Sequence, residues 1–159
     1  RTGATILFHT EQGKNAEALL PFFADRGVPA ERLYLCHMDK RPDIGLHREL
    51  AQAGVLLGYD TFVRPKYDPD NGVWKLLHTL VADGLEAHIA ICLDMALSAM
   101  WQHYGGAPGM VTLPRQIVPR LYAEGFSGDV VAQLTGQNVA RQLVARAAEL
   151  KEYQSTTPG

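Results

Sequence analysis

A parallel α/β fold is predicted for this chain of 159 residues by three features of its sequence. Four short apolar runs each close on a polar residue: "ATILFH" (Ala4–His9), "RLYLCH" (Arg32–His37), "GVLLGYD" (Gly54–Asp60) and "AHIAICLD" (Ala87–Asp94). Near-continuous apolar runs rich in Ile, Leu, Val and Tyr suit strands covered on both faces, as in a parallel sheet. Helical periodicity lies between the runs, usually stopped by glycine. The closing residues His9, His37, Asp60 and Asp94 are separated by 28, 23 and 34 residues. A βαβ unit takes about 30 residues, so each belongs to a successive unit.

The helices follow in order. Asn15–Arg26 carries Ala16, Leu19, Leu20, Phe22 and Phe23 on an apolar stripe, and Gly27 ends it. Leu46–Ala53 is shorter and stops at Gly54, and "KRPD" before it caps it. Val73–Ala82 places Val73, Leu76, Leu77 and Leu80 on one face. After the fourth run comes the longer excursion "MALSAMWQHYGGAPGM", in which "YGGAPG" reads as a flexible loop with substrate contacts. Helices near Leu113–Glu124, Asp129–Leu134 and Asn138–Lys151 complete the chain, and the "QSTTPG" tail reads as frayed. No linker or second domain is evident, so residues 1–159 read as one domain.

Composition narrows the function classes. The formal net charge of −2 gives no footprint for nucleic acid or an anionic membrane surface. No apolar run approaches the roughly 20 residues of a membrane span. Cys36 and Cys92 make no disulfide framework, so a reducing, cytoplasmic setting is expected. The chain opens Arg1-Thr2-Gly3, with no initiating Met and no leader pattern, which reads as a piece of a longer protein.

Carboxyl ends of parallel strands converge on one face, where active sites of such folds sit. Here they carry two imidazoles and two carboxylates, a donor set for a divalent metal such as zinc and for a general base. Each residue alone reads sooner as a helix cap or a hydrogen-bonded structural group than as a ligand. Four at equivalent places point to a site. Strand alternation puts Leu33 and Leu35 on His37's inward side and sends Tyr34 and Cys36 towards the helices. After Asp39, "KRPD" leaves the site. His47 and His78 fall within helices and His88 opens a strand, so none joins the site.

These motifs resemble a known family. "FHT", "CHMD", "GYDTF" and "ICLDMA" at the four strand ends are similar to the second half of the phosphotriesterase-like amidohydrolases. "KYDPD", "YGGAPG" and the late "IVPRLYAEGFS" and "LTGQNVARQL" extend the likeness over nearly the whole chain. The resemblance implies a (β/α)8 TIM barrel, with these strands as its fifth to eighth. It implies that His9 and His37 hold the more exposed of two metals. Asp94 would ligate the other and serve as catalytic base, and Asp39 and Asp60 would orient the ligands. The implied activity is a metal-dependent hydrolase using a metal-activated hydroxide on a lactone, carboxylic ester or phosphoester, a lactonase being favoured. The implied cofactor is zinc, binuclear in a complete barrel, and the implied partner is a small-molecule ester or lactone.

Lys66, followed by Tyr67 and with Arg64 nearby, matches a lysine that binds phosphate in lactonase members of the family, and reads equally as a solvated loop lysine. The Arg and Tyr that assist it are absent, because Leu97, Ser98 and Met100 stand in that stretch. Met100 and Trp101 instead read as an apolar side to the substrate pocket or, equally, as packing residues under the loop. A complete barrel takes about 250 residues, and the His-x-His of the family's first strand is not in this sequence. A stand-alone half-barrel would expose sheet edges and pair as a homodimer. The competing reading is a non-catalytic binding or interaction domain with an incomplete metal site.

Overall fold

The computed structural model describes residues 4–144. The end of the last expected helix, as far as Lys151, the "QSTTPG" tail and residues 1–3 lie outside them. One parallel sheet runs in the order β1 (Ile6–His9), β2 (Leu33–Cys36), β3 (Leu56–Tyr59), β4 (Ile89–Ile91). Register places Ile6 beside Leu33, Leu35 beside Leu57 and Leu57 beside Ile89. Each strand lies within the run expected for it, and the alternating elements make part of a (β/α) barrel.

The helices are α1 (Leu19–Ala24), α2 (Ile44–Gln52), α3 (Val73–Ala82), α4 (Val118–Ala123) and α5 (Gly128–Ala132). The first is half the expected length. Pro21 has no N–H to donate and fits only a first turn, so α1 starts near it, after a 3-10 turn at Ala16–Ala18. Asp43 caps α2 as expected, its carboxylate accepting from the Leu46 N–H at 3.2 Å. A π turn at Leu113–Ile117 leads into α4. Another follows α5, where extended backbone at Gly136 breaks the helix before it resumes over 138–144. Asn138 ties that last helix to the sheet, its amide donating to the Glu86 and Ile89 carbonyls at 2.7 Å each.

The core lies between sheet and helices. Leu33, Leu35, Leu57, Tyr59 and Ile89 pack there against α2 and α3, fully buried. The two leucines of β2 therefore face the helices, opposite to the alternation argument. Tyr34 and Cys36 take the other face: the Tyr34 hydroxyl lies 3.9 Å from Cys92 Sγ, and a Cβ on Gly58 would meet the Tyr34 ring at 2.8 Å. On the same face β1 presents Leu7, register partner of Tyr34, 64% exposed. Alternation does not carry through to His37 because its φ is 65°, and a left-handed residue does not continue the pleat.

Behind β3, His47 of α2 is fully buried. Its Nδ1 lies 2.5 Å from the Tyr59 hydroxyl and its Nε2 2.9 Å from the Arg41 carbonyl. Nε2–H donates to the carbonyl and Nδ1 accepts from the phenol, which is the neutral imidazole. Burial pushes its pKa below the ordinary 6.5. The unfolded chain therefore takes up the proton first, so this contribution is present above about pH 6.5 and lost as pH falls through the folded value. Urea midpoints measured from about pH 7 to about pH 5 should fall more steeply for wild type than for His47→Gln; equal slopes would refute the neutral assignment.

Candidate metal centre at the strand ends

His9 closes β1, His37 and Asp60 directly follow β2 and β3, and Asp94 lies three residues beyond β4. Two of these residues hold unusual backbone: His37 has φ 65° and Asp94 φ 48°. Non-glycine residues at positive φ carry strain and gather at functional sites. The loop after β1 is pinned beside them by Thr10, whose hydroxyl donates to the Cys36 carbonyl at 2.6 Å and accepts from the Gly13 N–H at 3.0 Å.

The side chains meet. His37 Nδ1 is in close contact with Asp60 Oδ2 and lies 3.9 Å from Asp94 Oδ2. His37 Nε2 lies 3.0 Å from His9 Nδ1, with the rings edge to face. His37 and Asp60 are buried, Asp94 is partly so, and the His9 side chain is 67% exposed. One donor atom from each of His37, Asp60 and Asp94 falls within a common 4.8 Å.

Asp39 is buried beneath them. Its Oδ2 accepts from the Asp60 N–H at 2.8 Å, the Thr61 N–H at 2.7 Å and the Thr61 hydroxyl at 2.7 Å. Burial, and then the Asp60 carboxylate, push its pKa up to about 7. Burial also raises the Cys36 thiol, with Asp60 and Asp94 adding to the shift. Cys36 alternates with the core residues Leu33 and Leu35 and so takes the face away from the helices, contrary to the expectation.

These residues fit a divalent cation. Tetrahedral zinc at about 2.0–2.1 Å from two imidazole nitrogens needs them about 3.4 Å apart; His9 Nδ1 and His37 Nε2 stand at 3.0 Å. With Nδ1 engaged by Asp60, His37 has Nε2 left for a metal, the usual carboxylate–histidine arrangement. Asp60 Oδ1 and Asp39 Oδ1 are buried without a hydrogen-bond partner. Such orphaned carboxylate oxygens are costly unless a cation faces them; the Lys40 ammonium at 3.6 Å faces Asp60 Oδ1, which leaves Asp39 Oδ1 unmatched.

Arg64 reaches the same aspartate. Its Nη2 donates to the Asp94 carbonyl at 2.7 Å, to Asp94 Oδ2 at 3.2 Å and to the Leu93 carbonyl at 3.3 Å, with Met100 Sδ at 4.0 Å. Lys66 is exposed, its ammonium 4.8 Å from the centre of the Tyr67 ring. Trp101 is exposed and donates to the Met95 carbonyl at 3.0 Å.

Lys40 was missed in the sequence. "KRPD" reads as leaving the site, yet Met38–Lys40 forms a 3-10 turn that brings Lys40 Nζ to 3.4 Å from Asp94 Oδ2 and 3.6 Å from Asp60 Oδ1. The available signal was spacing: three residues past His37, a tight turn folds back over the strand end. The loop after β4 is held by its own backbone. It is tied by the Gly106 N–H to the Trp101 carbonyl at 3.0 Å, Ala107 to Ala99 at 3.0 Å and Gly109 to Met100 at 2.9 Å. A Cβ on Gly106 would lie 2.0 Å from the Ala99 carbonyl oxygen, so close approach requires this glycine.

Four parallel strands with imidazoles and carboxylates at their carboxyl ends define part of a barrel of the amidohydrolase superfamily. The chain belongs to the phosphotriesterase family, whose profile matches residues 1–143. It is 28% identical over 148 residues to a phospho-furanose lactonase from Mycoplasmopsis synoviae, covering 89% of this chain and 42% of that protein. The crystal structure of a lactonase from Listeria monocytogenes superposes with a TM-score of 0.82 at 29% identity, covering 89% of this chain and 44% of the other. An amidohydrolase from Mycoplasma synoviae superposes with a TM-score of 0.81 at 25% identity, covering 96% and 48%. The chain thus spans less than half the length of these relatives. Among the described residues, no helix is long and apolar enough to cross a membrane.

Proposed function

We propose that this chain supplies part of the active site of a metal-dependent hydrolase that opens lactones. The observation that carries the reading is the pair of imidazole nitrogens, 3.0 Å apart, beside the Asp60 and Asp94 carboxylates. A divalent cation there, zinc by its donors, supplies Lewis-acid polarisation and lowers the pKa of water. His9, His37 and Asp94 would hold it, and Asp60 fixes the His37 ring through Nδ1. Asp94 Oδ2 is the base that takes the attacking water's proton and returns it to the leaving oxygen. Asp39 sets the backbone from which Asp60 projects.

Substrate preference follows from the surroundings and the relatives. Related proteins are named as lactonases, one for a phosphorylated furanose. Lys66 and Tyr67 offer a cation and a phenol for a substrate's anionic or polar end, with Arg64 between them and Asp94. Met100 and Trp101 form the apolar side.

The test uses the full-length protein. Chelation should abolish opening of a lactone panel, and zinc should restore it with near-stoichiometric metal. His37→Ala should bind zinc about 100-fold more weakly, as expected when a ligand set loses a member. Unchanged metal content and unchanged turnover in His37→Ala would end this reading.

A further inference from the structure

Lys40 has no part in the chemistry proposed above, yet it is the most buried of the site's lysine and arginine side chains, 10% exposed. Its turn lies between His37, with left-handed backbone, and the α2 cap at Asp43. The same turn carries Asp39, which three donors from Asp60 and Thr61 hold in place. The ammonium is therefore delivered by an anchored segment. It meets Asp94 Oδ2 at 3.4 Å and Asp60 Oδ1 at 3.6 Å. Asp60 Oδ1 is buried and accepts no hydrogen bond, so Lys40 is the positive charge that faces it.

A divalent cation bound to Asp94 at about 2.0–2.2 Å would stand within a few ångströms of that ammonium. Like charges at such range repel strongly where solvent is largely excluded. We propose that Lys40 is a resident counter-ion of the Asp60–Asp94 pair, and that metal uptake displaces it from these carboxylates. The inference rests on the metal site proposed above. The Tyr67 ring, its centre already 5.9 Å from Nζ, remains a partner for the ammonium once it leaves the carboxylates. Competition is reciprocal: whatever the ammonium adds to the metal-free site is subtracted from metal affinity.

Metal-stripped full-length protein titrated with Zn2+ against a chromophoric chelator tests this, using wild type, Lys40→Met and Lys40→Arg. Lys40→Met should bind zinc about tenfold more tightly, within the usual range of coupling between sites. Lys40→Arg, which keeps the charge, should stay close to wild type. Metal-free Lys40→Met should melt below wild type and gain more in Tm from zinc. A measurement without substitution stands beside it: zinc should raise the reactivity of Lys40 in the wild-type protein towards an amine-acylating reagent, read by mass spectrometry. Equal or weaker zinc affinity in Lys40→Met, or Lys40 reactivity unchanged by bound zinc, overturns the proposal while leaving the metal site standing. Zinc uptake by neither wild type nor variant removes both.

Discussion

Asp94→Asn in the full-length protein should lower kcat/KM for lactones by about 1,000-fold and leave the fold intact. The two halves of that expectation have separate causes. Asparagine is nearly the shape of aspartate and tolerates left-handed backbone at least as well, so φ 48° at this position is no obstacle. Arg64 keeps its bonds to the Leu93 and Asp94 carbonyls at 3.3 and 2.7 Å, neither of which needs the carboxylate. The amide, however, cannot take a proton at the position of Oδ2, and a positioned general base contributes about 100- to 10,000-fold. Steady-state kinetics with unchanged circular dichroism and Tm would check this. A variant retaining a tenth or more of wild-type kcat/KM would show that the proton goes elsewhere.

Much of this site is visible in the sequence because parallel strands place their ends together without further instruction. A run such as "RLYLCH" must be covered on both faces, and its first polar residue marks where the strand meets the barrel mouth. The convergence of His9, His37, Asp60 and Asp94 follows from four such runs. The direction of individual side chains does not follow. Strict alternation would turn Leu35 and His37 to the same side, but the left-handed backbone at His37 rotates its ring into the site while Leu35 packs on the helices. Nothing in "CHMD" reports that dihedral.

Lys40 shows a second limit. Hydropathy separates buried strand from charged loop, and a charged residue after the strand is read as solvated. The 3-10 turn at Met38–Lys40 instead folds the lysine back over two carboxylates. Long side chains on tight turns reach groups that no periodicity links to them. Arg64 is similar: its nearness to Lys66 in the chain suggests a shared role, while its Nη2 is held by Asp94 thirty residues away. The shortened α1 was within reach, since Pro21 states its own preference for a first turn.

Asp39 is where fold and site are joined, and its removal should be the most damaging single change to stability in this region. Asp39→Ala strips the acceptor from three donors, the N–H groups of Asp60 and Thr61 and the Thr61 hydroxyl, all buried. Each buried donor left unpaired costs about 1–3 kcal/mol, offset in part by no longer burying a carboxyl, for a net loss of about 3 kcal/mol. The same donors hold the backbone of Asp60, which steers the His37 ring, so zinc affinity should fall together with stability. Asp39→Asn separates charge from hydrogen bonding. Burial and the neighbouring Asp60 carboxylate lift the Asp39 pKa to about 7, so near neutral pH its ionised form has little advantage over the neutral one. An asparagine that places its carbonyl oxygen at Oδ2 keeps all three bonds. Its amide nitrogen then falls at Oδ1, which has no hydrogen-bond partner, at about 1 kcal/mol. Urea unfolding of the three proteins should therefore rank wild type first, Asp39→Asn slightly below it and Asp39→Ala well below both. If Asn and Ala were equally destabilising, the carboxylate charge rather than its acceptor geometry would be what holds the strand ends together.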